Sequence, residues 1–164
     1  MRIYHNLTLT EPDGQSLCHV YCKHEHVDLC DVNHINSKDV DIGMVRRLNP
    51  RMWRFLVMID PLVDRFMSRD IDSDIIDREV SAVQQWLNSN WTFHVMRDHP
   101  SHGGFMLAGL WGAKNVLRRQ LIKRLGQAMV FSSQNDKYET DQSRLDMVVW
   151  PFATFDVVSV YCSW

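Results

Sequence analysis

Apolar and polar positions alternate along residues 2–9, from Arg2-Ile3-Tyr4-His5-Asn6 onward, and predict a strand that Glu11-Pro12-Asp13-Gly14 closes with a turn. A second candidate strand covers 17–22. Residues 31–50 are polar and irregular and end at Asn49-Pro50. Residues 51–60 then predict a short helix, with Pro61 at its boundary. The apolar segment from Leu62 to Met67 runs straight into Arg69-Asp70-Ile71-Asp72-Ser73. Behind it, Ile76, Val80, Val83 and Leu87 recur at offsets 0, 4, 7 and 11, the stripe of a helix over 75–88. Ser73 or Asp74 can cap that helix, and Asp77 lies in its first turn. Phe93-His94-Val95-Met96 predicts a strand that opens into a loop at 97–104. Leu117, Leu121 and Leu125 keep a four-residue step, which predicts a helix from about Gly112 to Leu125, ended by Gly126. The remainder predicts a polar loop at 132–140, a short helix around 141–148 and an apolar, strand-like tail. Strands alternating with helices place the chain in the α/β layered class.

Composition narrows the partners. At 164 residues, 45% hydrophobic and 23% charged, the chain has the size and core of one globular domain. A net charge of −2 and a pI near 6.4 lack the basic excess of a nucleic-acid binder, so no nucleic-acid partner is expected. No apolar run approaches the roughly 18 residues of a membrane span. The first residues lack the apolar stretch of a signal peptide, so a secretory lumen is expected only where an upstream segment supplies the address. Two sequons, Asn6-Leu7-Thr8 and Asn90-Trp91-Thr92, are compatible with that compartment. Cysteines stand at 18, 22, 30 and 162, the first three interleaved with His19, His24, His26 and His34. Cys18-x-x-x-Cys22 has no second pair at zinc spacing, which favours buried or disulfide-bonded cysteines over a zinc-binding interaction domain built on 18–34.

Four groups of residues have the chemistry of a site. Asp70-x-Asp72 places two carboxylates on one side of an extended backbone. At an exposed strand end they make an oxygen-rich site for Mn²⁺ or Mg²⁺ that leaves room for diphosphate oxygens. The alternative is a solvated acidic turn that caps the following helix. Arg97-Asp98-His99-Pro100-Ser101-His102-Gly103-Gly104 joins an Arg, a carboxylate and two histidines on a strand-to-loop junction. There Asp98 or His99 can orient or deprotonate a hydroxyl, and Arg97 can pair with phosphate or with Asp70 and Asp72; a salt-bridged turn is the alternative. Trp53-Arg54-Phe55-Leu56 has the spacing of an amphipathic helix with one exposed Arg. Asp141-Gln142 has no single meaning by itself, and Trp111 suits a sugar platform or plain core.

Taken together, these blocks resemble glycosyltransferase-like proteins of the GT-A type. The resemblance runs collinearly through Met1-Arg2-Ile3-Tyr4-His5-Asn6, Val27-Asp28-Leu29-Cys30-Asp31-Val32, Met52-Trp53-Arg54-Phe55-Leu56, Asp60-Pro61-Leu62-Val63-Asp64 and Ser68-Arg69-Asp70-Ile71-Asp72-Ser73. It continues through Arg78-Glu79, Ala82-Val83-x-x-Trp86-Leu87, His94-Val95-Met96-Arg97-Asp98-His99-Pro100-Ser101-His102, Gly109-Leu110-Trp111-Gly112-Ala113-Lys114, Asp141-Gln142 and Trp150-Pro151. It implies a Rossmann-like GT-A sheet with flanking helices over residues 1–164, a nucleotide-sugar donor and a carbohydrate or glycoconjugate acceptor. It also implies Mn²⁺ or Mg²⁺ on Asp70 and Asp72, with Arg69, Trp53, Arg54 and Arg97 around the donor. Asp98 and His99 would line the donor-sugar or acceptor side, and Asp141 and Gln142 would stand near the reacting sugar.

Two departures accompany the resemblance. It starts past the first strand and helix that hold the nucleoside in this fold, so a domain without its first nucleotide-binding strand is expected. The tail, Val158-Ser159-Val160-Tyr161-Cys162, lacks the family's His-Asp-Ser-Tyr stretch and with it the histidine that completes a GT-A metal site. An active transferase and a non-catalytic sugar- or nucleotide-binding remnant both follow from this pattern.

Overall fold

The computed structural model describes residues 1–35, 38–70, 72, 74–97, 105–131 and 140–161, the last four of these by their backbone. Within them the chain is a mixed α/β protein with two small sheets. β1 (Arg2–His5) pairs in parallel with β2 (Asp28–Asp31), and α1 (Pro12–Tyr21) crosses between them. The larger sheet has the order β3-β5-β4-β6, formed by Phe66–Arg69, Leu110–Ala113, Phe93–Arg97 and Val157–Tyr161. β5 is antiparallel to both neighbours, while β4 and β6 are parallel. Among the described residues no helix is long and apolar enough to cross a membrane.

The turn expected at 11–14 and the strand at 17–22 are one helix, α1. Pro12 opens it, where a missing N–H costs nothing, and Asp13 sits in the first turn beside the unpaired amides. The less exposed positions are Gly14, Leu17, Cys18 and Tyr21, offsets 0, 3, 4 and 7. Gly14 belongs to this helical stripe without being apolar, so the stripe does not show in the hydropathy of the sequence. A Cβ on Gly14 would lie 2.1 Å from the Thr8 carbonyl oxygen, so the helix rests directly on the backbone that follows β1. β1 itself ends at His5, short of the strand expected over 2–9.

The polar stretch 31–50 holds one helical turn, α2 (Ile42–Val45), capped by Asp41. The helix expected at 51–60 is a 3₁₀ helix, Pro50–Met58, whose Asn49 side chain accepts the Arg51 amide at 3.0 Å. It buries Met52, Trp53, Phe55, Leu56 and Met58. α4 (Arg119–Phe131) packs across it and replaces the helix expected at 112–125. Residues 110–113 pair instead as the central strand β5, and the buried face of α4 is Ile122, Leu125, Gly126, Met129 and Val130. Gly126 does not end the helix. It is the crossing point, because a Cβ there would stand 2.7 Å from the Met58 Cβ.

α3 (Asp77–Leu87) lies where the periodicity placed it, with Asp77 and Glu79 in its first turn, yet it turns a different face inward. Ile76 and Val80 are 43% and 55% exposed, and the buried residues are Glu79, Ala82 and Trp86. Two anchors set that rotation. Glu79 pairs with Arg69 of β3 at 2.6 Å, and Trp86 stacks on His94 of β4 with ring centroids 5.4 Å apart. The residue at the N-cap is Ile76, without a side-chain cap bond; Ser73 lies outside the described residues, and Asp74 contributes its carbonyl to Arg69 at 2.8 Å. At the other end, buried Lys114 donates to the carbonyls of Trp86 (2.8 Å) and Ser89 (2.6 Å), which places a cation on the helix C-terminus. Burial pushes the Lys114 pKa down.

The short helix expected at 141–148 is longer: α5 (Thr140–Arg144) runs through a π-helical turn, Leu145–Val149, into α6 (Trp150–Ala153). The strand-like tail is β6. Its entry is tied to β4 by Asp156, which accepts from the Thr92 hydroxyl at 2.6 Å and from Arg118 at 2.8 Å. Burial alone would raise the Asp156 pKa, but the Thr92 hydrogen bonds and Arg118 hold it below the ordinary carboxylate value. Trp111 is plain core, fully buried with Phe66 edge-on at 5.1 Å.

Candidate functional site

The register of the larger sheet gathers chemistry at one edge. Arg69, the last residue of β3, pairs with Leu110 at the start of β5, and Arg97, the last of β4, pairs with Tyr161 of β6. The carboxyl ends of three strands therefore share the edge at which the chain enters β5. Ligands of open α/β sheets collect at such carboxyl ends.

Residues 105–109 lead into β5 along this edge, and side chains grip them from several elements. Arg97 donates to the Phe105 carbonyl at 2.9 Å. Gln142 of α5 holds the segment as a strand would, its amide nitrogen bonding the Met106 carbonyl and its oxygen accepting the Ala108 amide at 3.1 Å. Asp146, one helical turn further along, accepts the Met106 amide at 3.3 Å, and the Ser68 hydroxyl of β3 donates to the Ala108 carbonyl at 2.6 Å. Gly109 closes the segment against Asp70: a Cβ on Gly109 would lie 2.3 Å from the Asp70 Oδ2.

Asp70 follows directly on β3 with an exposed carboxylate, and its Oδ1 accepts from Arg54 at 3.0 Å. Arg54 projects from the 3₁₀ helix whose neighbouring Trp53 and Phe55 are buried, so its backbone is fixed and its long stem carries the charge outward. Arg54 and Asp70 thus pair at the end of β3, while Arg97 and Gln142 hold the segment that leads to Gly109, although all four lie far apart in sequence.

Other expected site residues sit elsewhere. Arg69 is turned to α3, where it pairs with Glu79 at 2.6 Å. Trp53 is core, with its indole N–H donating to the Val45 carbonyl at 3.2 Å. Asp141 is buried in the first turn of α5. Asp72 is exposed in a turn, and because β3 ends at Arg69 the two acids are not carried on an extended strand as the Asp70-x-Asp72 spacing had suggested. Asp98, His99 and the rest of 98–104, residues 132–139 of the loop expected at 132–140, and Cys162 lie outside the described residues, while Thr140 opens α5. Ser68, Gly109 and Asp146 were missed; Asp146 was discoverable, since it stands four residues after Gln142 on one helix face.

Among the described residues no group of three or more His, Cys, Asp or Glu converges on a point that could hold a metal ion. Mg²⁺ and Mn²⁺ shared with a diphosphate need only one or two carboxylates, because phosphate oxygens and water complete the shell. Asp70 and Asp72 each expose a carboxylate after β3, and among the described residues they do not amount to a cage for a bare ion. The 18–34 segment fits zinc poorly: Cys18 and Cys22 are joined in a disulfide, and burial pushes the thiol of free Cys30 up. Comparison with known proteins finds no matching family model, no matching curated protein and no matching solved structure.

Proposed function

We propose that the chain is a metal-dependent glycosyltransferase domain of the GT-A type that moves a sugar from a nucleotide-sugar donor to an acceptor hydroxyl of a carbohydrate or glycoconjugate. The observation that supports this most is the exposed Asp70 carboxylate at the carboxyl end of β3, beside Arg54 and on the sheet edge where Arg97 and Gln142 grip the entry to β5. In this reading the larger sheet belongs to a Rossmann-like GT-A sheet.

Asp70 and Asp72 would hold Mn²⁺ or Mg²⁺, which when bound supplies charge neutralisation for the departing nucleoside diphosphate. Arg54 and Arg97 bind phosphate oxygens through charge-assisted hydrogen bonds. Gln142, Asp146 and Ser68 keep residues 106–108 rigid, so that Gly109 holds the Asp70 carboxylate at the sheet edge. Asp98 or His99 would orient the acceptor hydroxyl or take its proton.

The test is calorimetry with UDP- and GDP-sugars in the presence and absence of Mn²⁺. The Asp70→Ala/Asp72→Ala double variant is expected to lose Mn²⁺-dependent donor binding and to keep its melting temperature within about 2 °C, since exposed substitutions cost little stability. Unchanged donor affinity in that variant would refute the assignment. One observation favours a second reading, a non-catalytic sugar- or nucleotide-binding remnant: both polar atoms of Gln142 are engaged with backbone, so Gln142 positions a segment and does not reach a sugar. Donor that binds while its labelled sugar is never transferred or released identifies the remnant.

A further inference from the structure

We infer that Asn6 is an N-glycan acceptor of the folded chain and that folding closes the second sequon, Asn90-Trp91-Thr92, a modification pattern that does not depend on the reading of the sheet edge. A sequon needs a hydroxyl two residues after its asparagine, so a transferase must reach both the Asn amide and that hydroxyl. Asn6 follows directly on β1, and residues 6–8 lie outside any helix or strand, with Asn6 and Thr8 both exposed. The segment is held through its backbone. Leu7 donates its amide to the His5 ring at 3.3 Å, and the Thr8 carbonyl accepts the Glu11 amide at 2.9 Å, which leaves the Asn6 and Thr8 side chains at the surface. In α1, the helix that follows, Cys18 and Cys22 are joined in a disulfide. Disulfides persist in oxidising compartments, and secreted proteins that mature there are the ones that carry N-glycans.

Asn90 is exposed as well, but the hydroxyl of its sequon is not. Thr92 is 1% exposed, and its hydroxyl donates to Asp156 at 2.6 Å. Its amide donates to the other Asp156 oxygen at 3.1 Å, and its carbonyl accepts the Lys114 amide at 2.9 Å. The turn before it is clamped too: the Trp86 indole donates to the Trp91 carbonyl at 3.2 Å, and the Lys114 ammonium to the Ser89 carbonyl at 2.6 Å. To offer its hydroxyl, Thr92 has to leave the start of β4 and break the contacts that tie it to the entry of β6. Before the fold closes, both sequons present the same groups; afterwards, of the two, Asn6-Leu7-Thr8 alone does. In the transfer itself, Asn6 Nδ2 attacks the anomeric carbon of an oligosaccharide carried on a lipid diphosphate. The carbon–nitrogen bond forms as the bond from that carbon to the diphosphate oxygen breaks. The lipid diphosphate leaves with the electron pair, and one Nδ2 proton passes to a base of the transferase.

The experiment incubates the unglycosylated full chain, folded and with its disulfide formed, with a single-subunit oligosaccharyltransferase and a lipid-linked oligosaccharide. Peptide mass spectrometry follows the occupancy of each site over time. Synthetic peptides spanning 2–12 and 86–96 serve as the unfolded reference for each sequon. Both peptides are expected to be modified. In the folded chain, Asn90 is expected to react about tenfold or more slowly than Asn6, each taken relative to its own peptide, the scale set by opening a buried hydrogen-bonded group. Asn6→Gln and Thr8→Ala, both at exposed positions, are each expected to abolish the Asn6 product and to leave the folded chain intact. A folded chain that is modified at Asn90 as fast as at Asn6 on this scale, or not at Asn6 at all, overturns the inference. A 2–12 peptide that the enzyme refuses overturns it equally, since Asn6 is then no acceptor. If the 86–96 peptide alone is refused, Asn6 stands as the acceptor and the burial of Thr92 is overturned as the cause of the difference.

Discussion

Glu79→Ala is expected to lower the free energy of unfolding by about 1–3 kcal/mol, because it takes a counter-charge away from a half-buried guanidinium. Glu79 and Arg69 are 7% and 18% exposed in their side chains and meet at 2.6 Å, linking the first turn of α3 to the last residue of β3. Removing the acid takes from the half-buried Arg69 guanidinium the counter-charge that Glu79 supplies. The double replacement Arg69→Met/Glu79→Leu is expected to recover much of the loss, since the desolvation cost of both charges goes with them. Urea denaturation of the two variants checks this, and equal losses in both would show that the effect is packing and not charge. Arg69 adjoins Asp70 in sequence, so Glu79→Ala is also expected to weaken Mn²⁺-dependent donor binding at temperatures well below its melting point.

Acidification is expected to remove about 3 kcal/mol of stability between pH 6.5 and pH 4 through one residue, His94. His94 is fully buried in β4, stacked on Trp86, and among the described residues neither ring nitrogen has a hydrogen-bond partner. Burial pushes its pKa from 6.5 down to about 4. The native state thus stays neutral through a range in which the unfolded chain takes up a proton. The contribution is whole above pH 6.5, falls as pH drops towards 4 and is exhausted below that. His94→Leu, which removes two buried unpaired nitrogens, is expected to flatten the profile in this window while the carboxylate-driven loss at lower pH remains. Thermal denaturation of both proteins from pH 7.5 to 3.5 reads the difference. Parallel profiles across pH 6.5–4 would show that His94 titrates normally.

Where periodicity met no tertiary override, it located the elements. The 3₁₀ helix at 50–58, α3, β4 and the parallel tail β6 stand at their expected places. Two of the differences share a cause, which is that glycine has no hydropathy to contribute to a stripe. Gly14 and Gly126 are inward-facing helix positions at close approaches; without them a turn and a strand are expected in place of α1, and α4 is expected to end early. The inward face of α3 was hidden for a related reason, since its buried anchors are an acid and an indole whose partners, Arg69 and His94, lie elsewhere in the chain. At the site, residue types were legible but pairings were not. No spacing rule joins Arg54 to Asp70 or sends Gln142 to the backbone of residues 106–108; those contacts arise from the sheet order and from the packing of the helices around it.

Paramagnetic broadening tests the central claim most directly. With nucleotide sugar present, Mn²⁺ is expected to broaden the amide resonances of Asp70, Gly109 and Leu110 ahead of those of Trp86 and His94, while Mg²⁺ at the same concentration broadens none. Broadening that needs no donor and centres on residues 18–34, or no selective broadening around Asp70 at all, would contradict a metal–diphosphate site at the end of β3.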